Sequence, residues 1–420
     1  MSVIELAYGH QTATVDIPAD NLLGVYTTSA ATDQADEAVL LQNALAQPID
    51  SPRLRELVKP GETVVIITSD LTRPCPSDKM LPPLLAELSA AGVPDGDITV
   101  VAALGLHRPM TEAELETMVG PEVYHRVRVI NSDSTDTVRL GRTSRGTPVE
   151  IFRPVVEADR RICLGNLELH YFAGYSGGAK AILPGCASKA TVNHNHAMMV
   201  QPEAATGRLD GNPVRADLEE GVAMLGVDFI LNAIVGIDHQ IKAAVAGDVL
   251  QAHRAGCEWV ARQGKLPLEQ AADIVLVSAG GFPKDLNLYQ AQKALDNAAY
   301  AVRERGIIIL LAECGEGFGN STFERWLLEA DSPQAVLDRI QAEFVLGGHK
   351  AAAIAGVLNR ARVFMVSALP AELVTAGGMQ PFADLPTAMQ AAFADFGPQA
   401  KVAVFPQGGS VLPEVKSLVG

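Results

Sequence analysis

Several short segments of this 420-residue chain concentrate side chains able to move protons or hold anions. Ser69-Asp70-Leu71-Thr72-Arg73 packs hydroxyl, carboxylate and guanidinium groups into five residues. Locally it reads as an Asx-type turn, but the planar fork of Arg73 can also grip a carboxylate through two parallel hydrogen bonds. His107, in Gly105-Leu-His-Arg-Pro109, and His170, in Leu169-His-Tyr-Phe-Ala-Gly-Tyr-Ser-Gly-Gly-Ala-Lys180, form a second group. Either alone reads as a hydrogen-bonded loop residue; two imidazoles with unperturbed pKa values of about 6.5 suit acid and base roles by turns. In Ser176-Gly177-Gly178 the glycines would let backbone N–H groups approach a phosphate, although the P-loop spacing is missing. Lys180 could contact a phosphate, form a Schiff base or tether a cofactor; a merely solvated lysine is disfavoured by its apolar neighbours Ala179, Ala181, Ile182 and Leu183. His194 and His196, two apart, do not stack on one helical face, so one of them rather than both could bind a metal, and a neutral imidazole suits nickel, copper or zinc. Further on, Tyr289, Gln290 and Lys293 fall within one helical turn, as in any amphipathic helix or in a substrate-facing one. Gly315-Glu-Gly-Phe-Gly319 has GxGxG in place of the dinucleotide GxGxxG, and Gly347-Gly-His349-Lys350 is either a helix start or the wall of a pocket.

The elements that must position these residues follow from periodicity. From about residue 60, apolar strands at 62–70 and 98–107 alternate with helical stretches at 79–91 and 112–119, which predicts a parallel sheet covered by helices. Thr111 and Glu114 form a capping box that starts a helix just beyond His107, so His107 falls on the loop after a strand's carboxyl end, where ligands of doubly wound sheets bind. Strands are expected at 125–131, 160–167 and 229–237, the last turning into 241–246, and residues 2–17 read as a hairpin at a sheet edge. The polar Gly/Pro-bearing stretch 263–267 breaks the pattern. A second series follows: strands at 272–281, 306–314 and 362–367, and helices near 321–343 and 349–360. A last strand at 401–409 could complete either sheet. The expected architecture is α/β, with two domains, each a mostly parallel Rossmann-like sheet flanked by helices, and an active site in the interdomain cleft. Residues 1–265 would form the cofactor-binding and catalytic domain, 266–400 a domain closing over the substrate about a hinge near 265, and 401–420 a terminal strand and tail that could return to the N-terminal domain.

Composition narrows the function. Lys and Arg number 33 against 49 Asp and Glu, a net charge of −16 without a basic run, which argues against nucleic acid as a partner. With 48% apolar and 20% charged residues the chain is of ordinary globular composition. Its five cysteines lack CxxC spacing, against a disulfide framework or structural zinc, and together with a start that is no signal peptide they suit a reducing cytoplasm. The most apolar run, 306–312, is far short of the roughly 20 residues of a membrane span, so no membrane association is expected.

In this order, Asp70-Leu-Thr-Arg73, Gly105-x-His107-Arg, His170 through Lys180, Pro184-Gly185, Asn195-His196 and Tyr289-Gln290-Ala-x-Lys293 resemble the nickel-dependent lactate racemase family over most of the chain. The resemblance implies that Lys180 is joined through a thioamide to a nickel-pincer nucleotide, pyridinium-3-thioamide-5-thiocarboxylic acid mononucleotide carrying nickel. It implies His196 as the remaining metal ligand, with His194 as competitor, and His107 and His170 as the acid/base pair. Arg73, Gln290 and Lys293, with Tyr289 and His349, would contact the substrate; Asp70, Thr72, Ser176, Gly177 and Gly178 would hold ribose and phosphate. His349 stands near where lactate enzymes of the family carry an aromatic wall, which leaves malate-like and aldonate-like acids open beside lactate. Separate cofactor-biosynthesis proteins are implied as partners.

The chemistry is consistent with that reading. Removing a proton from C2 of a hydroxy acid creates a carbanion beside a carboxylate, beyond the reach of an imidazole base. Hydride removal coupled to loss of the hydroxyl proton gives a planar 2-keto acid instead, and return of hydride to its other face inverts the centre. Two rival readings are an NAD(P)-dependent 2-hydroxyacid oxidoreductase using Gly315–Gly319 and a non-catalytic hydroxyacid-binding protein.

Overall fold

Continuous apolar runs become strands buried on both faces. In Val64–Ser69 the side chains alternate between two cores, Val64 and Ile66 into one, Val65 and Ile67 into the other, as the period of two requires. The computed structural model describes residues 2–27, 36–236 and 238–416 and divides the chain into two compact units, Ala30–Arg262 and Met1–Ser29 with Gln263–Gly420.

The unit Ala30–Arg262 is built on a six-stranded sheet in the order Ile241–Gly247, Phe229–Val235, Arg160–Asn166, Val64–Ser69, Ile98–Ala103, Arg128–Asn131. Only Ile241–Gly247, at the edge, is antiparallel to its neighbour. From Val64–Ser69 the chain steps outward through Ile98–Ala103 to Arg128–Asn131, then returns to add Arg160–Asn166 on the opposite side. That reversal leaves a crevice at the carboxyl ends of Val64–Ser69 and Arg160–Asn166, where an open α/β sheet binds its ligand. An antiparallel ribbon, Thr137–Arg142 with Pro148–Phe152, is an addition that periodicity did not reveal. The expected strand at 125–131 is shortened to Arg128–Asn131, because His125 sits in the helix Pro121–Arg126 that opens with proline at its first turn. Ile237, the expected end of the strand from Phe229, lies outside the described residues.

The second unit carries a six-stranded, wholly parallel sheet in the order Gln380–Phe382, Arg362–Val366, Val302–Leu311, Ala272–Ser278, Val402–Phe405, Leu22–Val25. The two expected α/β sheets are therefore present, but the domain bounds need correction. Residues 1–29 belong to this unit and not to the first: Leu22–Val25 is its edge strand, and the hairpin Ser2–Tyr8 with Gln11–Ile17 buries Ile4, Leu6, Val15 and Ile17 in its core. That hairpin is a sheet of its own rather than an edge of a larger one. Val402–Phe405 and Leu412–Val415, the latter paired in parallel with Lys265–Leu268, belong to this unit too, so the last expected strand completes this sheet and not the first. Alternation in a strand says that it needs a core without saying which core. Among the described residues no helix is long and apolar enough to cross a membrane.

Asn21 ties the two ends of this unit together: its Nδ2 donates to the carbonyls of Pro398 and Ala400, both at 2.8 Å, while its own carbonyl accepts from the Val402 amide. Asn21→Ala strands two acceptors and should lower the stability of this unit by about 1–3 kcal/mol. Urea unfolding followed by the fluorescence of Trp326, with Trp259 replaced by Phe, reads this; an unchanged midpoint would deny residues 1–29 a place in the unit.

Candidate active site

Three neighbouring parallel strands, Arg160–Asn166, Val64–Ser69 and Ile98–Ala103, send their carboxyl-end loops to one edge of the first unit. The loop after Val64–Ser69 brings Asp70, and the loop after Ile98–Ala103 brings His107; their side chains meet with Oδ2 and Nδ1 2.5 Å apart. The other carboxylate oxygen accepts from the Thr72 hydroxyl, at 2.5 Å, and from the Thr72 amide. Burial by itself would raise the Asp70 pKa, but the hydrogen bonds from His107 and Thr72 outweigh it and hold the carboxyl below its usual value. An ionised carboxylate only accepts, so His107 carries a proton on Nδ1, and in the neutral ring the lone pair lies on Nε2. Arg73 is exposed, with Nη1 on the Thr72 hydroxyl at 3.1 Å. Asp70 and Thr72, expected to hold ribose, are thus engaged in orienting His107.

His170 lies four residues beyond the end of the strand Arg160–Asn166, where Leu169–His170 forms a two-residue antiparallel pair with Gly174–Tyr175. Its Nδ1 accepts the Ala173 amide at 3.2 Å, and its Nε2 is 3.0 Å from Lys180 Nζ. With Nδ1 accepting, a neutral ring carries its only proton on Nε2, which donates to the lysine nitrogen. That nitrogen accepts only as an uncharged amine. The electrostatics agree: burial pushes Lys180 well below its ordinary value, helped by the positive charges of Arg215 and Arg73. Burial likewise pushes His170 well down, reinforced by the charge of Arg73. A neutral, desolvated amine is the nucleophilic form needed to carry a covalently attached group.

The helix Lys189–Ala197, capped by Ser188, separates the two candidate ligands. His196 is buried, its ring 4.9 Å from that of Phe172, which is itself 4.6 Å from His170 and 5.6 Å from Lys180 Nζ. His194 is exposed on the outer face, its Nδ1 2.9 Å from the Thr147 hydroxyl. The structure brings His196, and not His194, to Lys180 and His170. Among the described residues no group of three or more His, Cys, Asp or Glu side chains could hold a metal ion. One buried imidazole beside a neutral amine fits a metal whose other ligands belong to a group carried on that amine.

The glycine loop differs from its expected use. The Ser176 hydroxyl donates to the Asn166 carbonyl at 2.7 Å, its amide bonds Glu168, and the Gly178 amide donates to Asn232 Oδ1 at 2.9 Å. These donors bind the loop to the protein. Gly177 and Gly178 have φ of +73° and +58°; a Cβ on Gly178 would meet the His253 ring at 2.8 Å, so the close approach demands glycine. Asn232, His253 and Arg215 escaped sequence reasoning. His253 Nε2 lies 2.8 Å from the Ser176 carbonyl; Arg215, 1% exposed, donates to the carbonyls of Ala173 and Tyr175 and is pushed down to about 10 by burial. Their only sequence signal is polarity within apolar surroundings.

The remaining candidates stand in the second unit. Tyr289, Gln290 and Lys293 share the helix Leu288–Ala298, Gln290 and Lys293 exposed, with Tyr289 edge-on to His349 at 6.4 Å. His349 is buried, its Nδ1 accepting the Gly347 amide, and Lys350 reaches the Tyr289 carbonyl at 2.6 Å. Gly315–Gly319 is a buttress rather than a dinucleotide loop: the Glu316 amide bonds Leu286, and the Gly317 and Phe318 carbonyls accept from Leu288 and Tyr289.

The depressed Lys180 value carries a sign. The unfolded lysine stays charged up to about pH 10.4 and the folded one does not, so folding releases a proton and stability rises with pH through that window. Lys180→Met should therefore stabilise the cofactor-free chain most near neutral pH, the gain in Tm shrinking toward pH 10. Parallel Tm–pH curves for the two proteins would rule out a neutral amine.

Comparison with known proteins gives the family and the fold. Residues 8–207 match the lactate racemase N-terminal domain model and 268–413 the C-terminal domain model. The chain is 33% identical to the lactate racemase of Thermoanaerobacterium thermosaccharolyticum over 99% of this chain and all of that one, and 34% identical to that of Lactiplantibacillus plantarum over 98% and 100%. The solved structure of the Thermoanaerobacterium lactate racemase apoprotein superposes with a TM-score of 0.90, covering 98% of this chain and 100% of that one at 33% identity. A Thermotoga maritima protein, 17% identical, shares the fold at a TM-score of 0.63 over 93% of this chain and 100% of its own. Matched along nearly its whole length, the chain belongs to the lactate racemase family of isomerases.

Proposed function

We propose that the protein inverts C2 of a small 2-hydroxy acid, of the kind after which its relatives are named, using a nickel-pincer nucleotide carried on Lys180 with His196 as the protein's metal ligand. When bound, that group supplies an acceptor for the hydride of C2. The observation that carries the reading is the His170–Lys180 pair, Nε2 and Nζ 3.0 Å apart, with burial pushing the lysine well below its ordinary value.

The two histidines are presented in opposite tautomers. His107 offers a lone pair at Nε2 because Asp70 holds its Nδ1–H, and it takes the hydroxyl proton. His170 presents an N–H at Nε2 because the Ala173 amide occupies Nδ1; it returns a proton to the carbonyl oxygen, when the opposite enantiomer forms, from the imidazolium state, because giving up the one proton of the neutral ring would leave an imidazolate. For the reverse substrate the roles exchange. Arg73, exposed and joined to the His107 site through Thr72, holds the substrate carboxylate. Gln290, Lys293, Tyr289 and His349 are assigned to the substrate on the strength of the family resemblance, and cofactor-biosynthesis proteins must act before this one.

Enzyme purified from a host that makes the cofactor should contain about one nickel and a mass adduct on the Lys180 peptide, and should carry single-enantiomer lactate or a related 2-hydroxy acid to a racemic mixture. Activity with neither nickel nor adduct would overturn the cofactor assignment. His107→Ala and His170→Ala should each lower kcat by about 10²–10⁴-fold. Asp70→Asn, which keeps the base but loosens its tautomer, should lower kcat with KM unchanged. Full activity in any of these three variants would remove that residue from the proton relay.

A further inference from the structure

Beside His196 lies a buried polar chain that the catalytic reading leaves unused. Asn195 Nδ2 is 2.8 Å from Asp217 Oδ2 and 3.1 Å from the Val214 carbonyl. Both are acceptors, so the amide nitrogen must face them and the amide oxygen must face the other way, where it meets His196 Nδ1 at 3.0 Å. An amide oxygen cannot donate. His196 therefore carries its proton on Nδ1, and in the neutral ring Nε2 keeps the lone pair.

Asp217 is itself fixed from the far side. The Thr143 hydroxyl donates to its Oδ1 at 2.5 Å and the Thr147 hydroxyl to its Oδ2 at 2.7 Å. Thr143 in turn accepts the Thr147 amide, and Thr147, having donated its one hydroxyl proton, accepts from His194 Nδ1. Asn195, Asp217 and Thr147 are fully shielded from solvent. A buried carboxylate with hydroxyl and amide donors costs more to assemble than an apolar contact of the same volume, so packing alone does not call for it. The chain joins the ribbon turn at 143–147 to the helices Lys189–Ala197 and Pro213–Ala223, and it ends on the buried His196 ring, which packs against Phe172, itself 5.6 Å from Lys180 Nζ.

We propose that Asp217 and Asn195 are positioning residues for His196, a relay that fixes its Nδ1–H tautomer and so presents Nε2 as the metal-binding nitrogen. The proposal rests on the reading of His196 as metal ligand. It also assigns His194 a structural part: its contact with Thr147 closes the outer end of the relay.

The tautomer can be read on the cofactor-free chain, independently of nickel. In protein labelled with ¹⁵N-histidine, long-range proton–nitrogen correlation distinguishes the two tautomers, with His196 assigned by the signal lost in His196→Gln. The expected wild-type pattern is Nδ1–H; an Nε2–H pattern overturns the proposal with no variant needed. In Asn195→Leu the pattern should shift toward Nε2–H. In loaded protein, nickel affinity measured by chelator competition should fall about 10–100-fold while the Lys180 mass adduct persists. Asp217→Asn should do the same more weakly; if either variant does not fold, Thr143→Val loosens Asp217 without touching Asn195 or a histidine and should give a partial shift. A purely structural role would lower Tm with tautomer and nickel affinity unchanged, and that result also overturns the relay. Wild-type protein that takes up no nickel would sink the metal reading instead, leaving the tautomer signals to decide whether the relay exists.

Discussion

The site depends on an amine kept without its charge. Lys180 sits beside the His170 imidazole, 3.0 Å away, and within the influence of the positive charges of Arg215 and Arg73. Desolvation and like charge both disfavour the ammonium, and no weak interaction at 3.0 Å would offset them if the amine were protonated. A flexible surface lysine would be charged and inert. This one is pushed toward the neutral, nucleophilic form that the proposed attachment of a cofactor requires.

Holding that amine in place requires the surrounding backbone to be over-determined. The strap from Leu169 to Ala181 follows the central strand Arg160–Asn166 and is bound on every side: Ser176 to Asn166, Gly178 to Asn232, the Ser176 carbonyl to His253, the Ala173 and Tyr175 carbonyls to Arg215. Gly174 has no room for a side chain, since a Cβ would overlap the Arg208 carbonyl, and its φ of +76° belongs to the left-handed region. Each bond contributes modestly, about 0.5–1.5 kcal/mol. Together they leave the loop one conformation, and the orientation of His170 follows from it.

The same logic sets the protonation of each histidine. Asp70 assigns His107 its Nδ1–H, the Ala173 amide assigns His170 its Nε2–H, and Asn195 assigns His196 its Nδ1–H. Three rings of one residue type are thereby given different hydrogen-bonding capacity by their neighbours.

Much of the framework was legible in the sequence. Apolar runs alternating with helical stretches yielded both sheets, and the Thr111–Glu114 capping box placed His107 at a strand's carboxyl end, because these are local patterns whose period or cap is set by neighbours in the chain. The types and order of His107, His170, Lys180 and His196 were enough to suggest the family. Membership of residues 1–29 in the second unit, the choice of His196 over His194, and the parts played by Asn232, His253, Arg215 and Asp217 were not. Each depends on a partner far along the chain: 77 residues separate His253 from Ser176, 54 separate Asn232 from Gly178, and 380 separate Val402 from Leu22, its partner in the sheet. Sequence determined which chemical groups were available. Only tertiary structure decided which proton each of them holds, because a tautomer or a lowered pKa is a property of the hydrogen-bond partners and the dielectric around a side chain, and folding alone brings those together.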